Sequence, residues 1–211
     1  MKFAPSKPIL YLITRGATAE STTAESPEFQ EILSHVSAAC AAGIDLIQVR
    51  EKGLTARVLF DLAKRAVELS KGTATRILIN DRADIAAGAG AAGVHLTSRS
   101  IDAAAIRKTF GDEFLIGAST HSIEEATAAR DGGADFAVIG PIFETASKLE
   151  YGRPLGLQTL GEAARRLTPF PVLALGGVSL KNAQQCLRVG ARGIAGISLF
   201  ADPAAFKFGV R

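Results

Sequence analysis

The sequence is short of aromatic residues and of long apolar runs, and each shortage excludes a class of protein. It contains no Trp and only 2 Tyr among 211 residues, so aromatic stacking platforms for single-stranded nucleic acid are not expected. No apolar run approaches the roughly 18 residues that a membrane-spanning helix needs. The stretch Ile9–Ile13 is too short for the apolar core of a secretory signal. We therefore expect a cytoplasmic protein that binds neither nucleic acid nor a membrane.

Charge and cysteine content argue against two further kinds of site, one for duplex nucleic acid and one for a metal ion bound by cysteines. The 24 Lys and Arg residues exceed the 21 Asp and Glu residues by only 3, and no long basic block marks a face for duplex binding. The 2 cysteines, Cys40 and Cys186, lie far apart and lack the spacing of a metal site. Both have Ala- and Leu-rich surroundings, so we expect buried free thiols, which fit a reducing compartment.

Short apolar runs, rich in β-branched residues, recur along the chain. They are Ile9–Ile13, Leu46–Val49, Arg76–Ile79, Gly93–Leu96, Phe114–Gly117, Phe136–Ile139, Val172–Leu175 and Gly193–Ile197. Most are apolar throughout, which is typical of parallel strands covered on both faces. Helical patterns occupy Phe29–Ala42, Ala56–Leu69, Ile123–Asp131 and Ser179–Val189. Parallel strands need such crossover connections.

These units predict an α/β fold, a (β/α)8 TIM barrel in which residues 1–211 form a single domain. The alternative is an open doubly wound sheet, which would carry an early glycine-rich phosphate turn. The first candidate turn, Thr14-Arg15-Gly16-Ala17, lacks that pattern. Glycines that precede strands, such as Gly43 and Gly93, are interpreted as helix C-caps. The polar segment Ala17–Pro27 predicts a flexible loop or lid.

Charged side chains follow several of the predicted strands, and active residues of TIM barrels collect at those strand ends. Arg50 and Lys52 follow the second run, and Lys148 lies in the loop after the sixth. Three cations at one mouth would hold a diphosphate, and Asp81, after the third run, would hold Mg²⁺ beside it. The alternatives are a solvated charge cluster at 50–52 and a helix cap at 80–82.

The last two strand ends suggest a phosphate site. Gly177 follows the seventh run, and Ile197 and Ser198 end the eighth. Backbone N–H groups after strands 7 and 8 commonly bind phosphate in TIM barrels. The alternative is that Gly176-Gly177 is merely a tight turn.

Histidine supplies one further candidate. His121 follows the fifth run, and its ordinary pKa near 6.5 suits proton transfer at neutral pH. The alternative is a structural histidine that holds the preceding turn. His95, inside the fourth run, is interpreted as a packing residue, and His35 as a surface or packing residue of a helix.

The strand ends also carry motifs in a fixed order. They are Q-V-R-E-K at 48–52, I-N-D-R at 79–82, G-V-H-L at 93–96, G-A-S-T-H at 117–121, G-P-I-F-E-T at 140–145 and L-G-G-V at 175–178. Over nearly the whole chain this series resembles the thiamine phosphate synthase family and its TenI-like thiazole tautomerase branch. The resemblance implies a TIM barrel that joins a pyrimidine diphosphate to a thiazole phosphate and releases diphosphate.

The resemblance also implies a role for each matching residue. A contact to the pyrimidine is implied for Gln48, a contact to the pyrimidine and diphosphate region for Ser119, and a Mg²⁺ ligand for Asp81. Contacts to the diphosphate are implied for Arg50, Lys52, Asn80 and Lys148, and contacts to the thiazole phosphate for Thr145, Ser147, Gly177, Ile197 and Ser198. The catalytic candidates are Arg50, Lys52, Lys148, Ser119 and His121.

One departure from the family pattern keeps alternatives open. Synthases usually carry G-Q-E-D after the fourth strand, where this chain has Thr97-Ser98-Arg99-Ser100, so Ser100 replaces the Asp that would be a second Mg²⁺ ligand. The tautomerase branch resembles this version more closely, and it works without metal through a histidine that aligns with His121. A non-catalytic protein that binds thiazole or thiamine phosphate is a third hypothesis. The sequence leaves the oligomeric state open.

Overall fold

A computed structural model describes residue 3, residues 7–145 and residues 153–201. The strands are β1 (Ile9–Ile13), β2 (Leu46–Val49), β3 (Arg76–Asn80), β4 (Gly93–Leu96), β5 (Leu115–Thr120), β6 (Phe136–Ile139), β7 (Val172–Ala174) and β8 (Gly193–Gly196). All pair in parallel and in chain order, and β1 pairs with both β2 and β8, which closes the barrel. The predicted TIM barrel is confirmed, and the open sheet is wrong.

Helices connect the strands on the outside of the barrel. They are α1 (Pro27–Ala42), α2 (Ala56–Ser70), α3 (Ala83–Ala89), α4 (Ala103–Phe110), α5 (Ile123–Asp131), α6 (Gly156–Leu167) and α7 (Ala183–Arg188), with a 3-10 turn at Ser198–Phe200 after β8. The four predicted helices are α1, α2, α5 and α7; the last is shorter than the predicted Ser179–Val189. Helices α3, α4 and α6 were not predicted from the sequence.

The β5 strand is longer at its carboxyl end than its apolar run predicts. It continues through Ser119 and Thr120 to the rim of the barrel. Both hydroxyls find partners there, because Ser119 Oγ lies 2.9 Å from His95 Nε2 and Thr120 Oγ1 donates to the Val138 carbonyl over 3.2 Å. Polar side chains can therefore occupy this strand end without leaving buried groups unsatisfied.

Glycines confirm one of the two predicted caps and correct the other. Gly43 ends α1 in the left-handed conformation, with φ 76, as predicted. Gly93 is not a cap, because α3 already ends at Gly90 with φ 72. Gly93 is the first residue of β4, where a Cβ would lie 1.9 Å from the Leu115 carbonyl oxygen. Close approach of two strands, and not a helix end, requires glycine at this position.

Large side chains fill the barrel interior and close its amino end. Tyr11 and Phe136 are fully buried there, with ring centroids 5.5 Å apart. Phe3 packs edge-on against Phe136, and the Arg76 guanidinium lies 4.6 Å from the centre of the Phe3 ring. The interior is thus a packed core, as expected for eight strands. In the described part of the chain these side chains fill the amino end of the barrel, so the carboxyl ends of the strands are where a ligand site is to be sought.

The two cysteines lie on helices that pack against the outside of the barrel. Cys40 of α1 and Cys186 of α7 are free and buried, as predicted. Burial raises the pKa of the Cys186 thiol to about 11 and also raises the pKa of Cys40. Because the thiolate is the reactive form, neither side chain is suited to nucleophilic chemistry near neutral pH.

Candidate functional site at the carboxyl rim of the barrel

Two amide side chains form the floor of the barrel mouth. Gln48 of β2 and Asn80 of β3 are buried, and Gln48 Nε2 donates to Asn80 Oδ1 over 2.9 Å. The Tyr11 hydroxyl donates to Gln48 Oε1 over 3.3 Å. Burial raises the pKa of Tyr11 well above its usual value, so this hydroxyl remains a donor. The chain of bonds fixes both amides and leaves the Asn80 amide nitrogen able to donate to a ligand.

A buried histidine supports the next part of the floor. His95 of β4 is 1% exposed, and its ring packs against Tyr11 and Phe136 with centroid distances of 5.5 and 5.9 Å. Burial lowers the pKa of His95 to about 3, so the ring is neutral at physiological pH. The packing role predicted for His95 is correct, but its hydrogen bond to Ser119 was missed.

A cavity of about 310 Å³ opens above the ends of β2, β3 and β4. Its walls bring together Lys52, Asn80 and Asp81, three of the predicted site residues. Arg82 and Arg99 also line it and were not predicted. Arg82 is already paired with Asp84 through two hydrogen bonds of 2.8 and 2.6 Å. The lining thus combines the cations Lys52 and Arg99 with the carboxylates of Glu51 and Asp81. An anion could bind there through the two cations.

Asp81 ends β3 in an uncommon backbone conformation. Its φ of 63 lies in the left-handed region, which is unusual for a residue with a side chain. Its N–H donates to the His95 carbonyl over 2.9 Å, and the residue is exposed at the cavity. Arg82 is the N-cap residue of α3, as the helix-cap alternative for residues 80–82 predicts, but none of the three side chains caps the helix by a hydrogen bond.

Ser100 and Asp102, which lie where a second Mg²⁺ ligand would be sought, are both engaged in local hydrogen bonds. Ser100 Oγ accepts from the Thr97 N–H over 2.7 Å and lies 3.1 Å from Thr97 Oγ1. Asp102 accepts from the Ala105 N–H over 2.7 Å and so caps α4. Among the described residues no group of three His, Cys, Asp or Glu side chains could hold a metal ion. One exposed carboxylate fits a Mg²⁺ ion only if waters and phosphate oxygens complete its coordination.

The segment that carries Arg50 anchors the loop after β1. The Arg50 N–H donates to Thr14 Oγ1 over 2.8 Å. The Glu51 carboxylate is buried and accepts from the Gly16 N–H over 3.1 Å and from Thr18 Oγ1 over 2.9 Å. A Cβ on Gly16 would lie 3.2 Å from Arg50 Nη1, so the guanidinium lies against this loop. The solvated-cluster alternative is therefore wrong for Glu51, whose anchoring role the sequence analysis missed.

The predicted loop after β1 is present, but hydrogen bonds hold it in place. Beyond the contacts of Glu51, the Thr22 N–H donates to the Ala19 carbonyl and the Ala19 N–H donates to Thr22 Oγ1, both over 3.0 Å. Gln30 of α1 donates to the Ala24 carbonyl over 2.6 Å. The segment therefore forms an ordered wall of the mouth in this structure.

The loops after β6 and β7 pack backbone against backbone. Gly176 and Gly177 have φ values of 90 and 65, and a Cβ on Gly177 would lie 2.5 Å from the Glu144 carbonyl oxygen. The Phe143 N–H donates to the Gly176 carbonyl over 3.0 Å, and Asn182 Nδ2 donates to the Gly177 carbonyl over 2.9 Å. The two glycines thus form a tight turn. No described residue accepts from the Gly177 N–H, which stays available to a ligand.

Ile197 and Ser198 lie at the end of β8, where both are exposed. Ile197 lines a second cavity, of about 120 Å³, together with Thr14, Arg15 and His35. Glu51 lines both cavities, so the two are neighbours at the rim. Ile197 thus lies at the cavity beside the end of β1. Lys52, Asn80 and Asp81 lie at the cavity above β2, β3 and β4.

His121 lies at the rim directly after β5. Its N–H donates to the Glu125 carboxylate over 2.7 Å, and its Nδ1 lies 3.4 Å from the same carboxylate. Ser122 caps α5 by accepting from the Glu125 N–H over 3.1 Å, as the sequence predicts. Thr145 is described, whereas Ser147 and Lys148 lie outside the described residues.

Comparison with known proteins agrees with this architecture. A family model described as thiamine monophosphate synthase matches residues 10–200. The chain belongs to this family. The thiamine-phosphate synthase of Chlorobium luteolum is 40% identical and aligns over 92% of this chain and 86% of its own. A Geobacter sulfurreducens protein with the provisional name of thiamine-phosphate synthase is 43% identical over 82% of each chain.

Among solved structures, a similar family member is the thiamine phosphate pyrophosphorylase from Pyrococcus furiosus. It has a TM-score of 0.78 and 28% sequence identity, and the match covers 95% of this chain and 91% of that one. The family resemblance predicted from the strand-end motifs is thus confirmed. In the part of the chain that the structure describes, no helix combines the length and apolar character needed to cross a membrane.

Proposed function

We propose that this chain is a thiamine-phosphate synthase, which couples hydroxymethylpyrimidine diphosphate to thiazole phosphate and releases diphosphate. The observation that carries the proposal is the cavity that groups Lys52, Asn80 and Asp81 above a floor of hydrogen-bond donors. Membership of the family and the names of the curated relatives support it.

The floor formed by Gln48 and Asn80 suits the pyrimidine ring and the diphosphate oxygens of the first substrate. Gln48 and Asn80 are fixed by their mutual hydrogen bond, so each can present its remaining amide protons to a ring nitrogen or a phosphate oxygen. Ser119 lies at the end of β5 and is hydrogen-bonded to His95 of β4, the strand next to that of Asn80. In the proposal these three side chains orient the methylene carbon of the substrate toward the open mouth.

The chemical step separates charge, and the cations of the rim stabilise that separation. The bond between the methylene carbon and the diphosphate oxygen breaks, and its electron pair leaves with the oxygen. The pyrimidine-methyl cation that remains accepts the lone pair of the thiazole nitrogen, which forms the new carbon–nitrogen bond. Arg50 and Lys52, with Lys148 in the same role, would hold the departing oxygens, where fixed charges act on the transition state.

Asp81 would bind Mg²⁺ jointly with the diphosphate. When bound, the ion would neutralise charge on the leaving oxygens. The single exposed carboxylate supports an ion held mainly by substrate, because Mg²⁺ readily keeps waters and phosphate oxygens as ligands.

The thiazole phosphate would bind at the ends of β7 and β8. The Gly177 N–H has no acceptor among the described residues, and Ile197 and Ser198 are exposed beside the start of the 3-10 turn. Backbone N–H groups in such turns bind phosphate well. Thr145 and Ser147 would also contact the thiazole phosphate.

The proposal extends to the whole chain. Ile9 of β1 pairs with Gly193 of β8, which supports one domain over residues 1–211. Buried free thiols at Cys40 and Cys186 support a cytoplasmic location. The partners are then phosphorylated pyrimidine and thiazole molecules, with no role for nucleic acid or membrane.

Incubation of the purified protein with both substrates, with and without Mg²⁺, tests this function. We expect thiamine phosphate and diphosphate in equal amounts, and only when the metal is present. Failure to form thiamine phosphate with Mg²⁺ present would reject the proposal. Calorimetric binding of the thiazole phosphate without any turnover would then favour a non-catalytic binding protein.

A metal-independent thiazole tautomerase is the second candidate, and Ser100 favours it. The hydroxyl of Ser100 closes the loop on Thr97 where a synthase would place a second carboxylate. His121, held by Glu125 at the rim, would then move the proton. The test follows the isomer ratio of thiazole carboxylate phosphate without metal, and His121→Ala should abolish any change. An unchanged ratio with the wild-type protein excludes this candidate.

A further inference from the structure

The inside of the barrel contains a buried histidine, His95, to which the proposed chemistry gives no role. His95 of β4 faces the interior beside Ser119 of β5, and the strands pair so that His95 lies opposite Gly117. The His95 Nε2 atom and the Ser119 Oγ atom are 2.9 Å apart. Ser119 is half-buried at the rim, so the pair connects the packed interior with the mouth.

The surroundings of His95 keep its ring neutral. The titratable group packed against it is the Tyr11 phenol of β1, and Phe136 of β6 covers another side. A ring enclosed by aromatic groups and strand backbone favours the uncharged form, because a charged imidazolium would lose its hydration. A neutral imidazole has one N–H, which is either on Nδ1 or on Nε2.

The contacts of the two ring nitrogens decide between these tautomers. Among the described residues His95 Nδ1 is buried and has no hydrogen-bond partner. The bare backbone of β5 covers it, since a Cβ on Gly117 would lie 2.6 Å from this nitrogen. A proton on Nδ1 would therefore be a buried donor without an acceptor, which is rarer in proteins than an unsatisfied acceptor. A proton on Nε2 has Ser119 Oγ as its acceptor.

We propose that His95 is a positioning residue for Ser119: it donates from Nε2 to Ser119 Oγ and thereby directs the serine proton toward the barrel mouth. A serine hydroxyl has a single proton. With one oxygen lone pair occupied by His95, that proton is free to bond an electronegative atom of the bound ligand, either a ring nitrogen or a phosphate oxygen. The floor then presents donors from Asn80 and Ser119 together. This inference rests on the proposed function.

The tautomer itself is the first test, and it needs no turnover. The chain has 3 histidines, so a ¹⁵N-histidine NMR spectrum can be assigned by comparison with His95→Gln. We expect the proton of His95 on Nε2 and a bare Nδ1 in the wild-type protein. A proton on Nδ1 with a bare Nε2 would overturn the proposal.

Matched substitutions supply the second test. His95→Gln keeps a nitrogen donor near the Nε2 position, whereas His95→Phe keeps a ring and removes the donor. We expect kcat/KM to fall about 10-fold or more in His95→Phe and in Ser119→Ala, with little further loss in the double variant. His95→Gln should restore most of the activity. Equal loss in the Gln and Phe variants would contradict the positioning role.

The two tests also separate this inference from the proposed function. If the wild-type protein shows the Nε2 tautomer but forms no thiamine phosphate, the synthase proposal fails and the hydrogen bond to Ser119 stands. If His95→Phe fails to fold, the tautomer measurement on the wild-type protein still decides the proposal.

Discussion

The two halves of the rim are held in place by different means. On the β2 to β4 side, charged side chains surround the cavity, and the buried Glu51 carboxylate ties the neighbouring loop to the strand end. On the β7 side, two glycines let the backbones of adjacent loops approach each other directly. The first half offers charge and the second offers backbone N–H groups. A charged side chain can be replaced by a similar one, whereas any residue other than glycine would add a Cβ that collides with the neighbouring loop. We therefore expect the β2 to β4 side to tolerate substitutions better than the β7 side.

The largest effect is expected from Gly177→Ala. The new Cβ would lie 2.5 Å from the Glu144 carbonyl oxygen in a left-handed backbone with φ 65. We expect a loss of about 3 kcal/mol in the free energy of unfolding, measured by urea denaturation, and a higher KM for the thiazole phosphate.

Gly72→Ala is the matched control for that substitution. Gly72 has a similar φ of 75, but a Cβ there would meet nothing within 4 Å. Gly72→Ala should lower the free energy of unfolding by about 1 kcal/mol, because only the left-handed backbone conformation is disfavoured. Equal losses in the two variants would show that close packing of the loops is not what requires glycine at residue 177.

On the other half, Glu51→Ala should be the most damaging change. It leaves the Gly16 N–H and the Thr18 hydroxyl without their acceptor, at a cost of about 2 to 3 kcal/mol. Urea denaturation measures the loss, and limited proteolysis should cut within residues 14–26. Thr18→Val removes one of the two bonds and should cost about 1 kcal/mol. If Glu51→Ala leaves both stability and proteolysis unchanged, the loop is not anchored through this carboxylate.

His95, on the strand between the halves, predicts a pH effect on stability. Its pKa of about 3 in the folded protein lies below the roughly 6.5 of an unfolded histidine. Between these values the unfolded chain binds a proton that the folded one does not, so stability falls as the pH drops below about 6.5. By pH 5 the loss should reach about 2 kcal/mol, and His95→Gln should remove this contribution. A pH dependence that is identical in the two proteins would contradict the buried neutral ring.

The smallest effect concerns the metal. Ser100→Asp keeps an oxygen acceptor for the Thr97 N–H and adds a carboxylate to the side of the rim that holds Asp81. The Mg²⁺ concentration for half-maximal synthase activity should fall about tenfold. Ser98→Asp adds the same charge at an exposed neighbour and should leave it almost unchanged. Equal shifts in both variants would mean that general charge, and not coordination, is responsible.

The strands and the charged half of the rim were largely predictable from the sequence. Continuous apolar runs located all eight strands, and the residues after them located Lys52, Asn80 and Asp81 at one cavity. The Ala- and Gly-rich α3 has few long apolar side chains and therefore shows little helical periodicity. In contrast, α6 buries Leu160, Ala163, Ala164 and Leu167 at helical spacing, a pattern that the sequence does contain.

Contacts between distant segments were not predictable. Glu51 stands between two basic residues and looks solvated in the sequence, because its partners Gly16 and Thr18 lie more than thirty residues earlier. The hydrogen-bond partner of His95, Ser119, lies on the next strand. To predict this bond, one would need the register in which β4 and β5 pair, which the sequence does not give. The cap predicted at Gly93 is wrong for a similar reason. Glycine is needed there because the β5 backbone at Leu115, which is remote in the chain, leaves no room for a Cβ.

The stacked Phe3 and Arg76 side chains close one end of the barrel, and this has a kinetic consequence. Any substrate must therefore reach Gln48 and Asn80 from the carboxyl ends of the strands. If a second substrate bound at the rim covers these two amides, turnover should follow a compulsory order in which the substrate on Gln48 and Asn80 binds first, and initial-rate kinetics with product inhibition would show that order.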